Sequence, residues 1–512
     1  MRTARINSPL RPSGGEGAAG FDPVNLGDLF DPARTPDKVA LIAADGAGGH
    51  RQYTYRELGG AIASLAATLT RRGLERGARI GLLGANSAEY LVAYFAIMRA
   101  GLVAVPVNTR LPEATIAFIL KDAEIEFAFA EPRYRLLVPA EEFAAIGPGD
   151  DTQFATVVPA PRQVAMVLYT SGSTGRPKGV ALSHPGQLWA LRTRRAALVE
   201  PERERVLVAA PLYHMNALFA AKSALVAGAT LVLLPRFTPE GYIDAISEFG
   251  CTALTSVPTM IARVVKEEAR LAAAKLGTVR RVQMGSAPQT QALWDKARQA
   301  FPGARVVMGY GTTEHGPSTY GPHPAGIPTP DLALGYPLPG NEIRLTGGAT
   351  PDEGVLEVRC PAVMEGYLNL PEATAAVLRD GWYRTGDLVR RDADGFHFFV
   401  GRADDMFVCS GENIYPGEVE GMLERHPAVH QASVVPVPDD ERGQIPVAFI
   451  VLRPGAAATE DEIKSHALAR AMPVQHPRRV WFVPELPLTG TNKIDRRALI
   501  DEAMLRISAP AG

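Results

Sequence analysis

Cysteine is scarce in this sequence: among 512 residues there are only Cys251, Cys360 and Cys409, far apart. Their spacing fits neither a disulfide framework nor a paired metal-ligand motif, so a reducing compartment is the simplest reading. Charge of one sign is not in excess either. The formal net charge is −2, which leaves no global field to draw in nucleic acid or an anionic membrane. Long apolar runs are missing: the longest, Ala224 to Leu234, falls well short of the roughly 20 residues that a spanning helix needs. Residues 1–20 carry Arg2, Arg5 and Arg11 among Gly and Ser, without an apolar stretch. They read as a disordered tail and not as a secretory signal. The terminal Ser508 to Gly512 matches no targeting address. A cytoplasmic protein with no membrane span is expected.

What is present is a soluble globular composition, too long for one core and so divided into two or more domains. From about Tyr53 the text alternates helix and strand. Thr54 to Glu57 forms a capping box, with Leu58, Ile62, Leu65 and Leu69 behind it on one helical face. Strands are expected over Ala78–Leu83 and Leu102–Val107, with a helix over Ser87–Arg99 between them. Alternation resumes with a helix from Gly241 to Phe249, a strand Thr252–Val257 and a helix to about Lys266. Strands Arg280–Met284 and Ala304–Met308 flank a helix Gln291–Phe301. Such alternation implies parallel sheets covered on both faces.

After Pro337 the strands shorten between Gly and Pro turns, as in Gly354–Arg359 and Gly395–Val400. Beyond Arg402 a second α/β pattern begins: a helix Gly417–Arg425, strands Ala432–Val437 and Val447–Leu452, and a capping box at Thr459 to Glu462. The expected fold is therefore α/β. A large domain of mostly parallel, covered sheets plus a small β-rich subdomain spans 21–402, and a small mobile α+β domain spans 403–512.

Five motifs carry chemistry. Tyr169 to Val180 follows the apolar run Val164–Leu168 and holds Thr170, Ser171, Gly172, Ser173, Thr174, Gly175 and Lys178. Backbone N–H groups, hydroxyls and an ammonium in one turn form a cradle for phosphate oxygens. It is not the nucleotide-hydrolase loop, because Pro177 stands where that loop needs Gly, and Gly179 where it needs Ser or Thr. Gly309-Tyr310-Gly311-Thr312-Thr313-Glu314 offers an aromatic face, hydroxyls and a carboxylate suited to a base, a phosphate and a magnesium ion. Taken alone, a turn with a satisfied carboxylate reads equally well. Asp387, in Trp382 to Leu388, suits two ribose hydroxyls, or simply caps a turn. The stretch Gly401–Asp405 continues through Gly411-Glu412-Asn413-Ile414, and Pro487 to Arg496 places Lys493 in a glycine loop. Either of these last two could be a solvated charged turn by itself.

In identity, order and spacing these motifs resemble the adenylate-forming superfamily of acyl-CoA ligases, luciferases and peptide-synthetase adenylation domains, from about residue 25 onward. The run from Asp404 to Pro416 resembles the aryl-acid and medium-chain CoA ligases in particular. The resemblance implies an enzyme that uses ATP, Mg²⁺ and coenzyme A to form an acyl-adenylate and then a thioester. It implies that Thr170 to Lys178, Thr174 included, grip the β- and γ-phosphates, and that Ser286, Ala287, Pro288 and Tyr310 flank adenine. Thr313 would meet the α-phosphate and Glu314 the metal, while Asp387 and Arg402 would bind ribose. Lys493 would bridge the attacking carboxylate and the α-phosphate. Asp404 would be the hinge of a rotating small domain, chosen over its neighbour Asp405, and the Gly411 segment would line the thiol tunnel. His214 would gate between acid and thiol; a buried histidine satisfied by a carbonyl is the bland alternative.

Two departures from the family pattern stand out: Asn492 precedes Lys493 where many members carry Gly, and Gly147–Pro161 is short and rich in Gly and Pro. The acid pocket is expected along Asn216, Phe219, Met284, Gly285, Gly309 and Gly311, where the glycines would leave room for a flat ring or a chain. No acidic residue lies in Met215–Phe219, which disfavours an amino-acid substrate. A second substrate carboxylate has no evident partner there, although Lys222 lies just beyond. The alternative acceptor is a thiol on a separate carrier protein, since the sequence continues only briefly past Lys493. A non-catalytic nucleotide sensor is disfavoured by the intact Thr174, Lys178, Glu314, Asp387, Arg402 and Lys493. A homodimer stays open as an assembly.

Overall fold

The computed structural model describes residues 22–147, 149, 153–170, 176–287, 289–348, 350–410, 412–488 and 494–508. The tail expected over residues 1–20 lies outside them. Two seven-stranded sheets dominate the first 370 or so residues. One runs Arg305–Gly309, Arg281–Gly285, Ala253–Ser256, Arg205–Val208, Thr230–Leu233, Val39–Ala44 and His50–Thr54, parallel except for its last pair. The other runs Gly366–Tyr367, Lys178–Ser183, Val164–Thr170, Val103–Pro106, Arg79–Leu83, Phe127–Ala130 and Ala140–Glu141. Its first two pairs are antiparallel and the rest parallel.

One apolar core runs through both sheets. The helix Ala88–Arg99 lies within it, buried from Tyr90 to Met98 without a polar face, as a helix that is apolar all round must be. Ser87 caps that helix by accepting the Tyr90 N–H. The helix Tyr55–Arg71 opens on the capping box of Thr54 and Glu57 with both reciprocal bonds made, a device that stabilises a helix start by about 1 kcal/mol. The helix read from Gly241 begins earlier, at Pro239, because Thr238 caps it and proline suits the first helical position. The apolar run Ala224–Leu234 divides: it ends the helix Met215–Val226, turns at Gly228 (φ +74°) and enters the strand Thr230–Leu233. Among the described residues no helix is long and apolar enough to cross a membrane.

A third, antiparallel sheet contains Tyr320–Gly321, Ala333–Pro337, His397–Arg402, Trp382–Arg391, Glu353–Arg359 and Glu342–Thr346. It has its own small core around Leu356, Val358 and Val389. After a single 3-10 turn, Ala403–Asp405, the remaining chain builds a five-stranded sheet that shares no strand with the other three. Val429–Asp439 and Gly443–Leu452 are its long central pair, and Arg479–Phe482 joins in parallel. Two cores cover its faces.

Candidate active site

Four parallel strands of the first large sheet end on one side, and the loops leaving their carboxyl ends supply most of the predicted site. This is the edge at which open α/β sheets bind ligands. The loop after Arg205–Val208 leads to His214. Asn86, itself buried, fixes that loop: its side-chain amide donates to the Ala210 and Leu234 carbonyls (3.0 Å each) and its oxygen accepts the Leu212 N–H (2.8 Å). His214 occupies the N-cap position of the helix Met215–Val226, its ring edge-on to Tyr213 with centroids 4.6 Å apart. Asn216, on the same helix, donates to the Ser256 carbonyl at the end of Ala253–Ser256 (3.4 Å).

Strands Arg281–Gly285 and Arg305–Gly309 are in register with Gly285 opposite Gly309. A Cβ on Gly285 would lie 2.8 Å from the Gly309 carbonyl oxygen, and one on Gly311 would lie 2.5 Å from Pro317 Cα. These glycines therefore answer first to close packing of the protein's own backbone, a demand not foreseen in reading them as space for the acid. Ser286, next after Gly285, takes φ +68°, a left-handed backbone that costs of order 1 kcal/mol or more in a non-glycine residue and tends to occur at binding sites. Ala287 follows it; Pro288 lies outside the described residues.

The loop Gly309–Pro317 folds back on itself, Gly316 N–H donating to the Thr312 carbonyl (3.0 Å), with Thr313 at its tip. From this loop Tyr310 donates its hydroxyl to Asp387 Oδ2 (2.6 Å). Arg402 donates to Asp387 Oδ1 (2.7 Å) and to the Thr385 carbonyl (2.9 Å), and reaches Asp404 Oδ2 at 3.2 Å. Asp387 and Arg402 face each other because the strands Trp382–Arg391 and His397–Arg402 pair in that register. Burial by itself would lower the Arg402 pKa, but the Asp387 and Asp404 carboxylates outweigh it and hold the guanidinium above its ordinary value. Burial, aided by Asp387, raises the Tyr310 phenol.

A second group forms around Glu314, which is 8% exposed. Tyr367 donates its hydroxyl to Glu314 Oε1 (2.9 Å), and the Lys178 ammonium sits 5.2 Å from the centre of the Tyr367 ring. Lys178 itself pairs with Thr170 across the antiparallel strands Val164–Thr170 and Lys178–Ser183. The phosphate loop is thus closed at its base, while Ser171, Gly172, Ser173, Thr174 and Gly175 lie outside the described residues. Among those described, no cationic side chain forms an ion pair with Glu314 and no cluster of three or more His, Cys, Asp or Glu could hold a metal by itself. A buried carboxylate with only a hydroxyl donor fits a hard divalent cation, whose other ligands would be phosphate and water.

The neighbouring acids Asp404 and Asp405 turn opposite ways. Asp404 is 69% exposed and bonds Arg402, at the base of the large unit. Asp405 pairs with Arg496 Nε (3.4 Å), and Arg496 clamps Glu420 of the small unit through two bonds of 2.6 and 2.7 Å. Gly411 and Lys493 lie outside the described residues, although a β-bridge between Leu488 and Ile494 closes the loop that carries Lys493.

On the acid side, Phe219 and Met284 are buried. Lys222 does not offer its charge there: fully buried, it donates to Gln187 Oε1 (2.9 Å), and burial lowers its pKa to about 7. Asn216 and Phe219 instead open onto a cavity lined by Arg194, Arg281 and Gln283. Sequence reading missed Arg194, Tyr367, Thr385 and Asn86. Tyr367 follows Gly366 in a short bridge, and nothing local marks it; Arg194 lies in a run of helix charges that reads as a solvated face.

The family described as AMP-binding enzyme matches residues 31–368, and its C-terminal domain matches residues 418–493. The feruloyl-CoA synthase of an Amycolatopsis species is 35% identical over 466 residues, spanning 87% of this chain and 93% of that protein. The fatty acid–[acyl-carrier-protein] ligase ScoC of Streptomyces coeruleorubidus is 32% identical, spanning 88% and 92%. Among solved structures, the anthranilate CoA ligase AuaEII in complex with anthranoyl-AMP superposes with a TM-score of 0.85 at 26% identity, covering 95% of this chain and 98% of that one.

Proposed function

The chain belongs to the AMP-binding enzyme family and is an ATP-dependent carboxylic acid:CoA ligase, and on that premise we propose that it activates an aryl or medium-chain acid through the residues assembled above. The observation that carries the reading is the pairing of two groups at one strand-end edge. Tyr310, Asp387 and Arg402 form a polar, aromatic-faced pocket suited to a nucleoside, and Glu314, Tyr367 and Lys178 form a site suited to a metal-bound polyphosphate.

In the first half-reaction a carboxylate oxygen attacks the α-phosphorus of ATP, and the bond from that phosphorus to the pyrophosphate oxygen breaks. Both partners are anions, so positive charge must gather where they meet. Lys493 is assigned that task, Thr313 the α-phosphate, and Thr170 to Lys178, including Thr174, the departing pyrophosphate. Glu314 would hold magnesium, which when bound supplies charge neutralisation at the phosphates. In the second half-reaction the CoA thiolate attacks the acyl carbon and the bond to AMP breaks. That step needs other walls around the carbonyl, so the unit after residue 402 turns about Asp404, withdraws Lys493 and brings the Gly411 segment to the thiol path, where His214 of the large unit is the gate. The opposite anchoring of Asp404 and Asp405 supports this hinge.

A carrier-protein thiol is the alternative acceptor, favoured by the similarity to a ligase named for that substrate. A cytoplasmic location belongs to the same proposal, supported by the three scattered cysteines. The decisive experiment measures pyrophosphate release with a panel of aryl, fatty and dicarboxylic acids, with CoA or a carrier protein as acceptor. Lys493→Ala should slow adenylate formation by about 10²–10³-fold, the scale set by removing one charge-stabilising donor. It should spare thioester formation from supplied acyl-adenylate. Equal loss of both half-reactions would remove Lys493 from the assigned role.

A further inference from the structure

Behind Asn216 and Phe219 the acid side of the site ends among charged side chains for which the two half-reactions have no use. Arg194, from the helix His184–Ala196, and Arg281 and Gln283, from the strand Arg281–Gly285, line this cavity. The cavity volume is about 50 Å³. Arg194 donates to Gln283 Oε1 (3.0 Å) and to the Tyr320 carbonyl (3.5 Å), both neutral acceptors. Among the described residues neither Arg194 nor Arg281 has a carboxylate within ion-pair distance. Glu204 is the one acid in the lining, and its carboxylate takes the Thr252 hydroxyl. Burial, with Arg281 beside it, lowers the Arg194 guanidinium to about 10.

A half-buried guanidinium without a counter-charge pays part of the desolvation cost of its charge, and an anion would offset it. Two arginines against one glutamate leave the cavity one positive charge in excess. Its position gives the anion's identity. The cavity starts at Asn216 and Phe219 and reaches Pro317, the residue on which Gly311 packs, so it adjoins the loop bearing Thr313 and Glu314. An acid presenting one carboxylate to the α-phosphate would place its far end here.

We propose that Arg194, supported by Arg281 and Gln283, binds a second carboxylate at the far end of the substrate, so that the acid is dicarboxylic. The proposal rests on the ligase reading and narrows it. A planar, fixed guanidinium suits bidentate carboxylate recognition, and a site built around a buried polar group discriminates strongly against analogues that leave it unpaired.

The test compares matched acids of equal length, one series ending in a carboxylate and the other in the methyl ester or amide, by pyrophosphate release without CoA. The wild-type protein should favour the dicarboxylic member by about tenfold or more in kcat/KM. Arg194→Gln should bring that ratio toward unity through the KM for the dicarboxylic acid, and Arg194→Lys should restore part of it. The KM for ATP, read in the same assay, reports on the nucleotide side. Equal use of both series by the wild-type protein, or a preference for the neutral one, overturns the inference even if the variants fail to fold. Absence of pyrophosphate release with every acid overturns the ligase reading itself, a separate result.

Discussion

A single missing side chain keeps the proposed nucleoside pocket together. Gly386 has φ +76°, and a Cβ there would stand 2.8 Å from Arg402 Nη2 and 3.4 Å from Asp404 Oδ2. The end of a free arginine would move aside, but this one is tied to Asp387, to the Thr385 carbonyl and to Asp404. Gly386→Ala should therefore raise the KM for ATP by about tenfold and lower stability by about 1–3 kcal/mol, the usual cost of a left-handed non-glycine residue plus a displaced buried pair. Nucleotide titration alongside denaturant unfolding measures both. Wild-type ATP affinity in that variant would detach the Asp387–Arg402 pair from nucleotide binding.

At the level of elements, what could be read in the sequence follows how local the signal is. The two capping boxes lie within four residues each and were plain. Strand ends agreed to within a few residues where an apolar run met Gly or Ser, as at Met308 and Gly309. Asp387 and Arg402 were legible as motif residues, but their contact spans 15 positions and exists only because two strands choose one register. The Tyr367–Glu314 bond spans 53 positions, and no local pattern predicts it. Arg194 was illegible for another reason. In Leu191-Arg192-Thr193-Arg194-Arg195 it looks like its exposed neighbours Arg192 and Arg195, and only packing against Gln283 sets it apart.

The turn Ala403–Asp405 is an element with two anchors, and each can be cut. Asp404→Pro should restrict the turn and slow the thiol step more than adenylation. Arg496→Met frees Asp405 and leaves Glu420, among the described residues, with the Ser433 hydroxyl and the Val434 N–H, so it should loosen the small unit without fixing its angle. The ratio of half-reaction rates separates the two. An unchanged ratio in the Asp404 variant would rule out that residue as the pivot.

For the whole molecule, one buried acid of the small unit gives stability a component that falls with pH. Glu424, at the end of the helix Pro416–Leu423, is raised to about 8 by burial, despite accepting the Ala432 N–H. Unfolded, the carboxyl returns to about 4.5. Between those values the folded protein keeps a proton that the unfolded chain gives up, so the contribution of Glu424 to stability falls as pH rises from roughly 4.5 to 8 and is constant above. Glu424→Gln keeps the acceptor and removes the titration. Its melting temperature should match the wild type near pH 5 and exceed it at pH 8; parallel pH curves would refute the assignment.

Arg402 takes part in both the pocket and the turn, with one nitrogen on Asp387 and the other on Asp404. With the roles proposed above, Asp387 on ribose and Asp404 as pivot, whatever draws on Asp387 also changes the hold on Asp404, and nucleotide occupancy and the angle of the small unit would be thermodynamically linked. Linkage is reciprocal: the factor by which ATP shifts the angular equilibrium equals the factor by which that angle alters ATP affinity. On that proposal a two-pronged guanidinium would make the exchange of ATP for AMP a timing signal for the small unit, carried by one side chain.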